Sequence, residues 1–279
     1  MPAMQRAAAL ALFLTALPLA AQDPIAAGDA AWARRAEGHQ GARAAAGPIN
    51  EAVAAYERAV KEQPDRLQAY AKLLRALHYK GDYAVHTKEG KQQVFARGRE
   101  VFEAALARIE RRAGKKLADL PPAQVAKLVA KIPEAAEIFL WGGIHWGIWG
   151  DVYGRMAAAR QGVGDKVRDY AEIAVALDER LEKAGGHRLL GRLHTLAPKI
   201  PLVTGWVDRD KAISHMRRAV ALAPEDLGNQ VYLAEALLEH QPAKAAEARE
   251  ILRKVLQKKP DPARAVEDER ALADARQLN

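Results

Sequence analysis

The residues best suited to contacting a ligand are aromatic and lie close together in the middle of the chain. Trp141, Trp146 and Trp149 fall within nine residues, in a stretch that also holds four glycines. On a helix, Trp141, His145 and Trp149 follow one another at steps of four and share one side, which Tyr153 continues. Trp146 lies beside this stripe. Tryptophan offers a large apolar wall together with a single N–H donor, so the stripe is a candidate binding surface.

Two interpretations of this aromatic stripe remain open. In the first, the tryptophans pack as core between helix layers, and the glycines let neighbouring helices come near. In the second, part of the stripe lines a cavity or a concave face, and His145 supplies a polar contact there. Each glycine in a helix costs about 1 kcal/mol relative to alanine. Either interpretation therefore requires close packing or a bound group as compensation.

A second segment with binding potential begins at the double glycine, residues 185–186. Arg188 and Arg192 are four residues apart on one helix face, where they can bind an anionic ligand group or form ion pairs. His187 precedes them and belongs with the candidate ligand- or partner-binding residues. His187 and His194 are seven residues apart on another face, and no carboxylate is spaced to complete a metal site with them. We therefore predict no metal and no other cofactor.

The sequence carries no catalytic motif. It has no Gly-x-Ser-x-Gly elbow, no His-Glu-x-x-His pair, no phosphate-binding loop and no dinucleotide fingerprint. Because there is no cysteine, disulfides, thiolate metal sites and a cysteine nucleophile are excluded. These absences favour a binding protein, with no catalytic residues, over an enzyme.

Composition and residue spacing predict that the aromatic stripe and the double-glycine segment are helical. Alanine, leucine, arginine, lysine and glutamate favour helix. The second helix of a tetratricopeptide (TPR) unit has a small residue, a bulky one four later, a small one three later, and a proline beyond. These steps keep the side chains on one face, and the proline ends the helix. Two full matches are Ala52-Tyr56-Ala59-Pro64 and Ala212-Met216-Ala219-Pro224. A third, Ala248-Leu252-Val255-Pro260, has valine as its second small residue. A fourth, Gly98-Phe102-Ala105, lacks the proline.

The predicted fold class is all-α, an α-α superhelix of TPR-like helix hairpins. One helix is predicted from Pro133 through the tryptophans to about Arg160. The next opens at Gly164 and ends at the double glycine 185–186, and residues 199–207 form a loop. Stacked hairpins create a long concave face, which suits a binding role.

The N-terminus has the pattern of a secretory leader. Arg6 precedes an apolar stretch that ends in small residues at Ala20 and Ala21. We predict a signal peptide over residues 1–21 and a single TPR-like helical-repeat domain over residues 22–279, located in the periplasm. The alternative is an uncleaved anchor, although the apolar run is short for a bilayer span. No later segment predicts a transmembrane helix.

The net charge is +8, or +7 once the leader has been removed with Arg6. The basic runs 111–112 and 115–116 lack interleaved aromatic residues, and export removes nucleic acid as a partner. These runs are interpreted as a solvated helix face. An anionic ligand, partner or membrane surface remains an alternative.

Together these segments resemble the T-component family of TRAP transporters, also called TatT-like proteins, over roughly residues 45–260. The matching features are an aromatic Trp/Gly helix, a Gly-Gly-x-Arg-x-x-Gly-Arg pattern, a TPR unit ending in Ala-Pro, and a Tyr-Leu-Ala-Glu helix. In this chain they are residues 141–150, Gly185-Gly186 with Arg188, Gly191 and Arg192, residues 223–224, and residues 232–235.

The resemblance implies a periplasmic accessory protein with TPR-like helices. Its expected partner is the substrate-binding component of a solute importer, or another envelope protein, and it can hold a small apolar or anionic organic ligand. Family members are commonly lipoproteins, whereas this chain has no cysteine to lipidate, so we expect a soluble periplasmic protein. The alternative function is a general TPR scaffold of the cell envelope without a small-molecule site.

Overall fold

Helices account for nearly all regular structure in the computed structural model, which describes residues 23–201 and 203–279. The predicted signal peptide lies outside these residues. The described residues contain thirteen α-helices and no β-strand. In chain order the helices are α1 Pro24–Ala33, α2 Ala46–Glu62, α3 Leu67–Tyr79, α4 Lys88–Ala113, α5 Pro122–Val129, α6 Ala135–Tyr153, α7 Arg155–Arg160, α8 Val163–Leu177, α9 Leu181–Leu196, α10 Arg209–Leu222, α11 Leu227–His240, α12 Ala245–Leu256 and α13 Ala265–Leu278.

The small–bulky–small triads occupy the most buried positions of their helices. Ala52, Tyr56 and Ala59 of α2 are completely buried, and the helix ends two residues before Pro64. The triads of α10 and α12 are equally buried. Small side chains at these positions admit the neighbouring helix, and the central bulky side chain fills the space between the helices. The predicted second helices are therefore confirmed.

The helices form an inner and an outer row. Successive helices pack on one another along the chain, and contacts also join α3 to α6, α6 to α9, α9 to α11 and α11 to α13. The inner row consists of α3, α6, α9, α11 and α13, and together with α1 it supplies most residues of a large cavity. The outer row, on the side away from the cavity, includes α2, α4, α10 and α12. The arrangement is the predicted all-α superhelix.

Glycines let α6 approach its neighbours closely. A Cβ built on Gly142 would lie 2.2 Å from Phe102 of α4, and one on Gly150 would lie 3.1 Å from Val163 of α8. The helix predicted to reach Arg160 is interrupted at Gly154, where φ is +91°. Only glycine adopts such a conformation without steric cost, so the chain turns there and continues as α7.

The break in the first residues of α9 differs from the predicted one. The double glycine does not end a helix. The chain breaks at Glu182, Lys183 and Ala184, which have φ values of +48°, +56° and +61°. Gly186 lies inside the following helical segment, where an added Cβ would meet Val175 of α8 at 2.7 Å. The glycines are needed for close helix packing, and the turn falls on the residues before them.

None of the helices in the described ranges combines the length and the apolar character that crossing a membrane requires.

Candidate functional site

The inner helices line a half-open cavity of about 890 Å³. Sites for small organic ligands commonly fall between about 300 and 1,000 Å³. Aromatic rings from four inner helices and from the short π-helical turn after α3 contribute to its wall. They are Trp32, Tyr79, Tyr83, Trp141 and Tyr232.

One face of α6 forms part of the cavity wall. Trp141, Ile144, Ile148 and Asp151 follow at steps of three and four and all line the cavity. Trp141 is 6% exposed and packs against His78, with ring centroids 5.2 Å apart. Its indole N–H is buried and has no hydrogen-bond partner among the described residues. A buried donor without a partner is unfavourable, so this position favours a ligand that accepts a hydrogen bond.

Arg188 and Arg192 of α9 also line the cavity, and both are engaged within the protein. Arg188 donates to Asn229 Oδ1 at 3.0 Å and to the carbonyl oxygens of Glu182 and Lys183 at 3.3 and 3.4 Å. Arg192 forms an ion pair with Glu235, and its guanidinium lies 4.3 Å from the centroid of the Tyr232 ring. Their positive charges therefore have partners before any ligand is bound.

His145, one turn after Trp141 on α6, lies in the core against α3 and α4. The ring is fully buried, and its Nε2–H donates to the carbonyl oxygen of Leu74 at 2.9 Å. Burial lowers its pKa to about 3, so the ring is neutral at pH 7. A Cβ on Gly98 would lie 2.1 Å from the ring, so glycine is needed there. His145 is therefore a packing residue with one hydrogen bond.

Trp146, Trp149 and Tyr153 are turned away from the cavity, toward α4. The guanidinium carbon of Arg99 lies 3.6 Å from the Trp146 ring centroid and 4.2 Å from that of Trp149. Tyr153 stacks on Trp149 at 4.6 Å. Lys166 of α8 places its Nζ 3.7 Å from the Trp146 ring. These residues form a second cluster, separate from the one around Trp141.

His187 lies between α9 and α10, also away from the cavity. Its Nδ1 is 2.9 Å from Nδ1 of His215, so one ring donates a hydrogen bond to the other. Burial lowers the pKa of both histidines, that of His215 to about 4. His187 Nε2 lies 3.5 Å from Glu179. No group of three or more potential metal ligands occurs in the residues that the structure describes.

The cavity also contains residues that the sequence did not single out. Trp32 lies between two guanidinium groups, those of Arg35 at 4.6 Å and Arg75 at 4.3 Å from its ring centroid. Arg35 donates to the carbonyl oxygen of Ala263 and pairs with Glu267 at 3.1 Å. The segment after α1 thus contacts α13. Among these additional cavity residues, only Tyr232 belongs to a sequence motif, the Tyr-Leu-Ala-Glu pattern.

Comparisons with known proteins bear on the fold. No protein-family model and no curated protein matches the sequence. Among solved structures, the chain is similar to a thermophilic TPR protein of Thermus thermophilus, with 20% sequence identity and a TM-score of 0.53. The alignment covers 90% of this chain and 98% of the other. At this identity the likeness speaks for the fold alone, and it shows that this chain has an all-α, TPR-type superhelical repeat fold.

Proposed function

We propose that this chain is a binding protein that holds a small organic ligand in the cavity of its inner face. The observation that carries the proposal is Trp141, a buried residue of the cavity wall whose N–H donor has no partner within the described chain. Unsatisfied buried donors are rare in proteins, and a ligand acceptor would satisfy this one. The cavity volume of about 890 Å³ suits an organic molecule of drug-like size.

The wall combines apolar surface with charged groups, because it also contains seven arginines and seven carboxylate side chains. Ile144 and Ile148 of α6 and Leu189 and Leu193 of α9 contribute aliphatic surface beside the aromatic rings. Arg192 pairs with Glu235, whereas the carboxylate beside Arg188 is that of Asp226 at 4.0 Å, which also pairs with Arg264 at 2.8 Å. The expected ligand is an organic molecule with apolar surface and at least one hydrogen-bond acceptor.

The resemblance to T components supports a place beside a periplasmic substrate-binding protein. The Trp/Gly helix and the Gly-Gly-x-Arg pattern, which carry the resemblance, contribute Trp141, Arg188 and Arg192 to the cavity wall. The leader pattern of residues 1–21 supports export to the same compartment. In this role the chain would hold the ligand and exchange it with its partner.

A general TPR scaffold for protein partners is the second candidate. The TPR-type fold favours it, because stacked hairpins present extended surfaces for protein segments. The two functions differ in what the cavity contains. A scaffold needs no small molecule there, whereas the proposed function does.

Trp141→Phe is expected to weaken ligand binding about tenfold, which corresponds to about 1.4 kcal/mol, the scale of one hydrogen bond. The substitution keeps an apolar ring in the wall and removes the N–H donor. Binding is measured by fluorescence titration with 1-anilinonaphthalene-8-sulfonate, an aromatic anion whose sulfonate oxygens accept hydrogen bonds. Trp149→Phe, on the same helix and outside the cavity, is the control. Equal affinities for the two variants would contradict the assignment of the site.

A further inference from the structure

A group of cations and indole rings lies between α4, α6 and α8, outside the cavity. Arg99 of α4 stacks on Trp146 at 3.6 Å and on Trp149 at 4.2 Å, and Lys166 of α8 contacts Trp146 at 3.7 Å. Trp146 is 3% exposed and Trp149 is 8% exposed. We call these four residues the cation–indole cluster. The residues of α8 that line the cavity are Val163, Gly164, Asp165 and Val167, and Lys166 is not among them.

The positive charge of the cluster is poorly compensated. The carboxylate nearest to Arg99 is that of Glu103, with 3.8 Å between Nη2 and Oε1, and the Glu103 side chain is 59% exposed. Lys166 has no carboxylate within 4 Å among the described residues. Burial lowers the pKa of Lys166, and the neighbouring Arg99 charge lowers it further. Two like charges over one indole ring repel each other, so an added anion would stabilise both.

Donors in the cluster are also free of partners. The Nε of Arg99 and the Nε1 of Trp146 are buried without hydrogen bonds in the part of the chain that the structure describes. A guanidinium held between aromatic rings is fixed in place, and its terminal Nη groups can contact a carboxylate. Tyr153, stacked on Trp149 and 40% exposed, extends the cluster to the surface.

We propose that the cation–indole cluster is a docking site for an acidic segment of a protein partner, separate from the ligand cavity. A carboxylate of that segment would contact the edge of Arg99 and pair with Lys166, and apolar groups beside it would pack on Tyr153. Charge complementarity supports this partner, since the chain as a whole carries a net charge of +8 and attracts acidic surfaces. Tyr153, which the sequence singled out, thereby belongs to a partner surface, and the buried rings of Trp146 and Trp149 support it from beneath.

The test uses the full-length protein and a fluorescein-labelled oligoglutamate peptide, with anisotropy as the readout. Changing both Arg99 and Lys166 to glutamine is expected to weaken peptide binding about tenfold, because two favourable charge contacts are lost. The matched control changes Arg111 and Lys115, exposed cations at the end of α4 and just beyond it, to glutamine. The control is expected to retain affinity within about twofold, since it lowers only the overall charge.

A second variant keeps the proposal testable if the double variant folds poorly. Glu103→Gln removes the exposed carboxylate that competes for Arg99, and it is expected to tighten peptide binding about twofold to threefold. Equal losses in the two double variants, or an unchanged affinity in Glu103→Gln, would overturn the proposal. Binding of phosphatidylglycerol vesicles that depends on Arg99 and Lys166, without peptide binding, would overturn it in favour of a membrane surface.

Discussion

Gly142→Ala is expected to lower the free energy of unfolding by about 2 kcal/mol. A Cβ at this position would lie 2.2 Å from the ring of Phe102, which is completely buried and held by Tyr170 at a centroid distance of 4.8 Å. The ring has no free space into which it can move, and overpacking of this severity costs about 3 kcal/mol. The better helix propensity of alanine offsets about 1 kcal/mol of that.

Gly147→Ala, five residues further along the same helix, is expected to raise the free energy of unfolding by up to about 1 kcal/mol. Its Cβ would meet only Val167, at an ordinary contact distance of 3.7 Å. Urea unfolding followed by circular dichroism measures both variants under identical conditions. If Gly142→Ala were as stable as Gly147→Ala, the close approach of α6 to α4 would be incorrect.

Asn229→Ala is expected to destabilise the protein by about 3 kcal/mol, because it removes the group that stabilises the turn in the first residues of α9. Asn229 is completely buried, accepts from Arg188 at 3.0 Å and donates to the carbonyl oxygen of Lys183 at 2.9 Å. Residues 182–184 are left-handed and not glycine, which costs about 1–2 kcal/mol each. Loss of a hydrogen bond to a charged group costs about 1.5–3 kcal/mol, and the Lys183 carbonyl would lose a partner as well.

The matched control for this prediction is Gln230→Ala, on the neighbouring position of α11. Gln230 donates to the carbonyl oxygen of Pro224 at 2.6 Å in an exposed contact, so its loss is expected to cost under about 1 kcal/mol. Thermal and urea unfolding compare the two variants. Equal stability of Asn229→Ala and the unmodified protein would mean that the turn does not depend on Asn229 and Arg188.

The repeat fold was predictable because its signal is local. Ala52, Tyr56 and Ala59 must share one face of any helix that contains them, and small side chains there have a single physical use, the close approach of another helix. The same argument holds for α10 and α12. In each case the fully buried triad and the proline beyond it mark the second helix of a hairpin.

The division of α6 between two environments was not predictable from spacing. This helix is apolar almost all round, so periodicity cannot tell which side faces the cavity and which faces α4. Steps of four group Trp141 with His145 and Trp149, whereas the cavity face runs from Trp141 through Ile144 and Ile148. Gly142 and Gly98 determine the orientation, because they define where α4 comes near.

The cavity residues that the sequence did not predict are brought together by contacts between distant parts of the chain. Arg35 after α1 pairs with Glu267 of α13, so the cavity is bordered by residues 232 positions apart. The turn at 182–184 is stabilised by Asn229, more than forty positions later. Neither partner can be deduced from sequence spacing, since helix periodicity relates only residues a few positions apart.

Native mass spectrometry of a cavity-filling variant tests the central proposal most directly. Gly147 lines the cavity, and its added Cβ meets only Val167, at 3.7 Å, so Gly147→Leu is expected to place a side chain in the ligand space. Gly47→Leu on α2, where an added Cβ meets nothing within 4 Å, is the control. All three proteins are incubated with an organic extract of envelope material and then analysed.

The proposed function predicts that the unmodified protein and Gly47→Leu retain the same small-molecule adduct, and that Gly147→Leu loses it while its melting temperature is maintained. An adduct of equal occupancy in Gly147→Leu, or no adduct on the unmodified protein, would contradict a ligand-binding cavity and favour the scaffold function.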